Sequence, residues 1–303
     1  MTMYHTPVSC ASNQWFWEQK TLEPFDELIL SWNGFRPMVG FWEFSVSLLQ
    51  NEWSPWLKYA EWGVGHQKTF RTNSSVAYTD QDVVKPKNGH CTAFRIQVVG
   101  YNGADLSQLH GITAALSNTH MPPKESAKEF EAASLTGVPL QSQMILPHPR
   151  CKDLCSPTAT SSAINFLRKA QAIDPIPFSE AVRDHEFDIY GNWVLNTAAA
   201  YDALQGSHRT YVARLPSLSS ALQQITRGLP VVVSIKGPLE GAPLPYAHGH
   251  LMLLTGYHQQ RIFCMDPGYP SNSATETSYS LPSFLEAWGR RRNLAYLFDH
   301  ELI

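Results

Sequence analysis

The sequence predicts an α+β chain: an N-terminal antiparallel β-sandwich followed by a domain that mixes helices with short apolar strands. Three observations carry this expectation. Seven of the nine tryptophans fall between Trp15 and Trp62. The first hundred residues also hold short runs of aromatic and β-branched residues, broken by Asn, Gly, Ser and Pro, and several alternate apolar with polar as half-buried strands do. The texture then changes across residues 117–136, SNTHMPPKESAKEFEAASLT, where turn residues and a short charged helix candidate replace large apolar side chains. The linker is placed there, giving domains 1–125 and 126–303.

Element by element, FWEFSVSLLQ (41–50), PWLKYAEWG (55–63) and TAFRIQVVGY (92–101) read as strands of the sandwich, which spans about 20 to 115. SPTATSSAINFLRKAQA (156–172) reads as a helix, with Ser156 as N-cap and Pro157 as a natural first helical residue. NTAAAYDALQG (196–206) is a helix ending at Gly206, and LSSALQQITRG (218–228) a third, stopped by Gly228 and Pro230. PVVVSIKG (230–237), HLMLLTGYH (250–258), RIFCMDP (261–267) and NLAYLFD (293–299) are strand candidates, with PSFLEAWGRR (282–291) a last short helix.

Composition excludes several classes of function. Hydrophobic residues make up 43% and charged residues 16%, which rules out a disordered chain. Lys+Arg is 23 against Asp+Glu 26, a net charge of −3, so no basic excess exists to hold a nucleic-acid backbone. No run of 18 apolar residues is present to span a membrane. The start, MTMYHTPVSCASNQWFW, lacks the basic leader and apolar core of a signal peptide. Cytoplasmic residence is the expectation, with secretion by a non-classical route as the alternative. Five cysteines, Cys10, Cys91, Cys151, Cys155 and Cys264, are too few, too scattered and odd in number for a disulfide framework. Cys151 and Cys155 could be half a zinc site, but no second Cys/His pair at finger-like spacing follows, so no metal is expected.

Cys155 differs in its setting from the other cysteines. It precedes a helix, whose N-terminus carries about half a positive charge and free N–H groups and so favours a thiolate. Cys91 and Cys264 lie in strand-like runs and read as buried thiols, and Cys10 reads as part of a mobile start. A lone cysteine before a helix is by itself ordinary. Its meaning changes with the hairpin of 250–258 and 261–267, which turns near 258–261 and sets His250 beside Asp266 on neighbouring strands. A histidine oriented by a carboxylate is the base that a thiol nucleophile needs. A surface hairpin with a turn-forming Asp-Pro-Gly is the other reading. His248 rivals His250, since the two share a face; His250 is preferred because it opens the apolar strand.

The order of cysteine and helix, Gly-His and strand, then strand and Asp-Pro resembles the papain-like fold of the bacteriocin-processing-type cysteine peptidases (cysteine peptidase family thirty-nine and its relatives, in a stand-alone branch). The carriers are VPLQSQM (138–144), LCSPTATSSAINFL (154–167), YGNWVLNTAAAY (190–201), GLPVVVSI (228–235), GHLMLLTGY (249–257), CMDPGYPS (264–271) and the tail SYSLPSFLEAWGRRRNLAYLF (278–298). The match spans roughly 137–298. SWNGFRPMVGFWEFSVSLLQNEWSPWLKYAEWG (31–63) is similar to a Trp-rich β domain that can precede such peptidases. The resemblance implies a cysteine peptidase that acts through an acyl-enzyme on a peptide or protein substrate, without metal or organic cofactor. Cys155 matches the nucleophile, His250 the general base and acid, and Asp266 the residue that orients the histidine. Gln143 matches the glutamine that donates to the oxyanion. It stands 12 residues before Cys155, so ILPHPRCKD must loop out; Gln141 is the alternative and a plain polar linker the third reading. Ser156 follows the nucleophile where Gly is commoner in relatives.

Asn192 and Trp193 fall about where a cleft wall could be, although Trp193 reads first as core. PLEGAPLPYAHGH (238–250) reads as a loop over the cleft. The N-terminal tryptophans are either core packing or a face for a ligand or partner. Two rival functions remain open: an amidase or transglutaminase-like acyl transferase on the same scaffold, and a non-catalytic binding protein. No ATP-binding G-x-x-x-x-G-K-[ST] run is present, so the substrate of transporter-linked relatives is not carried over.

Overall fold

Each β-rich stretch finds its partners by antiparallel pairing in the computed structural model, which describes residues 1–6, 13–121, 130–169 and 171–300. Cys10 and most of the charged helix candidate before residue 130 lie outside the described residues. The chain divides into two compact units, Met1–Met121 with Val182–Gly206, and Pro122–Ala181 with Ser207–Ile303. The helices are α1 (Cys155–Arg168), α2 (Pro175–Val182), α3 (Trp193–Ala203), α4 (Leu218–Thr226) and α5 (Leu281–Gly289).

The first unit holds β1 (Thr2–His5), β2 (Gln14–Gln19), β3 (Glu27–Gly34), β4 (Phe41–Leu49), β5 (Leu57–Trp62), β6 (Lys68–Thr69), β7 (Ala77–Asp80), β8 (Val83–Pro86), β9 (Ala93–Tyr101) and β10 (Leu109–Ser117). They form two five-stranded sheets, β1-β10-β3-β8-β7 and β2-β9-β4-β5-β6. The runs at 41–50, 55–63 and 92–101, rich in aromatic and β-branched residues and set off by turn residues, become β4, β5 and β9, although only β9 alternates in burial. Trp32 of β3 stacks on Phe44 of β4 with ring centroids 4.3 Å apart and meets the edge of Trp62. Tyr59 of β5 donates its hydroxyl to the Asp82 carbonyl at 2.7 Å. Trp15, Trp17, Trp32, Trp42 and Trp62 are buried, Trp53 is half-buried, and only Trp56 is exposed. Most of the tryptophan cluster is therefore packing.

Strand β3 is buried along its whole length because α3 packs on it. The segment 182–206 was expected in the second domain, yet it packs with the first unit. Its anchor is polar. Asn192, the N-cap of α3, accepts the Leu195 N–H and donates to Asp184 and Thr69 at 2.9 Å. Asp184 also accepts from the Thr69 N–H and hydroxyl, and Asp82 accepts the Trp193 and Val194 N–H groups at the start of α3. A run of Ala in the middle of α3 lets the helix come close to the strand.

The second unit holds β11 (Ala133–Ser134), β12 (His208–Arg214), β13 (Val231–Ile235), β14 (His250–His258), β15 (Arg261–Met265), β16 (Glu276–Ser280) and β17 (Leu294–His300). Their antiparallel sheet runs β12-β17-β13-β14-β15-β16, with β11 pairing the far end of β14. Helix α1 packs on β13 and β14. Its stretch Ser-Pro-Thr-Ala-Thr-Ser-Ser-Ala is buried throughout, so small side chains set a short distance between helix and sheet. Ser156 is not the N-cap. Leu154 takes that position, Cys155 is the first helical residue, and the Ser156 hydroxyl instead bonds the Tyr296 hydroxyl at 2.9 Å. The physical reason is the 3₁₀ turn at Cys151–Asp153, which feeds directly into α1.

Asp82 yields a prediction for the first unit. Burial, with the nearby charges of Asp184 and Asp80, pushes its carboxyl up to about 8 despite the two N–H groups it accepts. The native state therefore keeps a proton that the unfolded chain releases near the ordinary carboxylate value of 3.8. Asp82 costs stability progressively as pH rises from about 4 to about 8, and no further above that. Denaturant midpoints measured across this range should fall in the wild type relative to Asp82→Asn; parallel curves would refute the assignment.

Candidate active site

The hairpin expected at 250–267 is the frame of the site. Gln259 and Gln260 both adopt left-handed backbone conformations, φ 46° and 62°, and close a two-residue turn between His258 and Arg261. A bulge between Leu254 and Gly256 shifts the register by one, so Leu253 faces Met265. One residue further, Asp266 stands level with Met252, two residues from His250 and on the same face of the hairpin. His250 Nε2 meets Asp266 Oδ1 at 2.7 Å. Both side chains are buried, at 4% and 0% exposure.

Cys155 comes to the same place from α1. The thiol is half-buried and close enough to the His250 ring to feel its charge. Nε2 is committed to Asp266, which leaves Nδ1 for the sulfur. Burial alone would push the thiol up; the hydrogen bond and charge of His250, then the N–H groups of Leu251 and Ser156, outweigh it and hold the thiol below its ordinary value. Burial would lower the His250 ring, but the Asp266 charge and hydrogen bond, with Cys155, raise it to about 10. Burial would raise Asp266, yet the His250 charge and hydrogen bond, the Tyr279 hydroxyl and the Gly268 N–H hold it low. The three shifts point the same way: each favours the charged form of its group.

His248 takes no part in this arrangement. It is exposed, and its carbonyl accepts Arg291 Nη2 at 2.6 Å. Gly249 between the two histidines has φ 112°, a conformation that turns the chain from the loop into β14.

Gln143 is buried beside the site but occupied. Its amide donates to the Cys151 and Lys152 carbonyls at 3.0 and 2.8 Å, using both hydrogens, and its N–H donates to Pro267 O at 2.9 Å. Ser142 is held in the same way, its N–H on Asn272 Oδ1 and its hydroxyl on the Tyr269 carbonyl. The segment thus ties the loop after Asp266 to the turn before Cys155. Gln141 is half-buried, and its side-chain oxygen has no hydrogen-bond partner. Asn192 and Trp193 belong to the first unit, Asn192 as the cap of α3. Cys91 and Cys264 are fully buried, with thiols pushed up by burial, Cys91 to about 12. Among the described residues, no group of three His, Cys, Asp or Glu side chains is placed to hold a metal ion.

Two residues at the site escaped the sequence reading. Tyr246 stacks on His250, centroids 3.8 Å apart and planes 2° from parallel, and donates to Asp266. Tyr279 donates to Asp266 Oδ2 at 2.5 Å. Tyrosine carries no spacing signal, and these two come from a loop and an edge strand.

The profile of the Peptidase_C39 like family matches residues 135–296, more than half of the chain. The chain belongs to that family. Membership makes this C39-like protein a hydrolase of the cysteine peptidase type, with peptides as the class of substrate. A putative C39-like peptidase from Bacillus anthracis aligns at 16% identity with a TM-score of 0.44, over 56% of this chain and 98% of that one. A double glycine motif protease from an AMS/PCAT transporter, solved with its leader peptide, aligns at 10% identity with a TM-score of 0.37, over 56% and 99%. No curated protein matches the chain. Among the described residues no helix is long and apolar enough to cross a membrane.

The charge state predicts a pH profile. The imidazolium persists until pH rises through about 10, and the thiolate forms below the ordinary thiol value of 9.0. Iodoacetamide should label Cys155 rapidly well below pH 8, with Cys91 and Cys264 inert. His250→Ala should slow the labelling and move its midpoint upward. Peptide mass spectrometry against pH reads both, and labelling indifferent to His250 would refute the pair.

Proposed function

We propose that the chain hydrolyses peptide bonds through Cys155, His250 and Asp266. The observation that carries this is a buried histidine whose Nε2 rests on a buried carboxylate at 2.7 Å, with the half-buried Cys155 thiol beside the ring. The thiolate attacks the scissile carbonyl carbon, and its electron pair forms the C–S bond while the carbonyl oxygen takes the negative charge. His250 Nδ1 gives its proton to the leaving amine as the C–N bond breaks. Water then enters; His250 takes one of its protons, hydroxide adds to the thioester, and the thiolate departs. Asp266 keeps the ring oriented throughout and stabilises it whenever it carries the proton.

The oxyanion needs donors. The Cys155 N–H is at the first position of α1, where no intrahelical acceptor exists. Gln143 is the second donor in this reading. Its amide serves the oxyanion by exchanging one of its two carbonyl bonds, at Cys151 or Lys152, when substrate arrives. We read the second unit as papain-like, with α1 carrying the nucleophile and the sheet the base. We read the first unit as a β-sandwich, supported by the Trp32–Phe44 stack between its two sheets.

Two variants separate the parts of this mechanism in a screen with a fluorogenic peptide library. Cys155→Ala should abolish cleavage. Gln143→Ala should lower kcat about 10²–10³-fold, the usual loss for one oxyanion donor, while leaving iodoacetamide labelling of Cys155 within about twofold, since alkylation builds no oxyanion. Equal losses in labelling and cleavage would reduce Gln143 to its structural bonds. Cleavage that survives Cys155→Ala would overturn the mechanism.

A further inference from the structure

Asp266 receives more hydrogen bonds than orienting a histidine requires. Oδ1 accepts His250 Nε2 at 2.7 Å and the Gly268 N–H at 2.9 Å. Oδ2 accepts the Tyr279 hydroxyl at 2.5 Å, and the Tyr246 hydroxyl lies 2.8 Å from Oδ2 and 2.9 Å from Oδ1. Oδ1 takes the ring and the Gly268 N–H, Oδ2 takes Tyr279, and the Tyr246 hydroxyl sits between the two. A carboxylate free to rotate would let His250 swing. Here four donors from four places in the chain hold it: the start of β14, the loop before it, the turn after β15, and β16.

The loop carrying Tyr246 is itself restrained. The Gly237 and Gly249 N–H groups both donate to the Tyr246 carbonyl, at 3.0 and 3.1 Å. Arg290 holds the Pro238 carbonyl, Ser283 the Glu240 N–H, and Tyr269 the Gly241 carbonyl. Tyr246 adopts φ 48°, a conformation that non-glycine residues seldom take, and its side chain is buried. Gly268 completes the fit, since a Cβ there would run into the Tyr246 hydroxyl. Backbone strain, ring stacking and a missing side chain all serve one contact.

We propose that Tyr246 and Tyr279 are positioning residues of the peptidase site: their hydroxyls lock the Asp266 carboxylate, and the Tyr246 ring fixes the plane of His250. This rests on the reading of His250 and Asp266 as the base pair of a cysteine peptidase. Both phenols stay protonated, because burial and the Asp266 charge push them far above their ordinary value. They are therefore permanent donors, and their effect is to keep Asp266 ionised in acid. The remaining titratable neighbours do not compete with them. Cys264 stays a neutral thiol through burial and the Asp266 charge, and Cys155 acts through His250.

The test uses Tyr246→Phe and Tyr279→Phe in the full chain, since phenylalanine keeps each ring and its packing. Two readouts are followed across pH: the His250 ring nitrogens by NMR on histidine-labelled protein, and the Cys155 iodoacetamide rate. Without a hydroxyl, Asp266 takes a proton at higher pH, and His250, buried and no longer paired, passes its own proton to the Cys155 thiolate. The acid-side transition of the ring should move up by about one to two pH units, the shift that loss of one charge-assisted hydrogen bond carries. The acid limb of Cys155 labelling should move with it. A merely structural role would lower the melting temperature and leave the transition of the folded protein in place. Unmoved ring transitions in both variants would overturn the proposal, whatever the labelling does. Wild-type labelling indifferent to His250→Ala would instead sink the peptidase reading, and the ring transitions would still decide whether the tyrosines lock Asp266.

Discussion

A charged imidazole against a carboxylate, both cut off from water, is the interaction on which the second unit depends. Two ions buried without partners would each cost several kcal/mol. His250 and Asp266 avoid that through excellent geometry and by meeting every remaining lone pair of the carboxylate with a donor. Those donors come from distant segments, so the pair exists only when the hairpin, the 238–249 loop and β16 are all in place. What results is chemical as well as structural: the charge of the His250 ring lowers the Cys155 thiol below its ordinary value.

The thiol must still arrive at the right depth. The small side chains of α1 bring the helix close to β13 and β14, and the 3₁₀ turn before it sets Cys155 at the first helical position. Gln143 and Ser142 then tie that turn to the loop after Asp266. Cys155 and Asp266 are joined in this way by a short polar bridge as well as through His250. The first unit uses similar physics for another end. Its buried carboxylates, Asp82 and Asp184, hold the start of α3 and bring a segment from the second half of the chain into the first unit's core.

How legible each part was follows from the range of the forces involved. Strands β4, β5 and β9 were readable because they are runs rich in aromatic and β-branched residues set off by turn residues, although only β9 alternates in burial. The hairpin of β14 and β15 was readable because two apolar runs joined by two residues have one simple way to pair. Strand β12 was missed, since His-Arg-Thr-Tyr-Val-Ala-Arg alternates poorly and lies at a sheet edge. So was α2, an eight-residue helix with two prolines. Ser156 was misjudged as a cap because the local pattern fits one, while the turn before it moves the helix start to Cys155.

By itself the sequence determined the chain order of cysteine, histidine and aspartate, the elements that carry them and the family they belong to. These follow from short-range rules, from periodicity, turn residues and a motif, all written within a few positions of each other. Only the tertiary structure decided that His250 and not His248 meets Asp266, because a one-residue bulge and a left-handed glycine set the register and the turn. It alone decided that the Gln143 amide rests on two carbonyls and that Tyr246 and Tyr279 close on Asp266. Hydrogen bonds between residues far apart in the chain leave no spacing to read, and such bonds decide how this site is held.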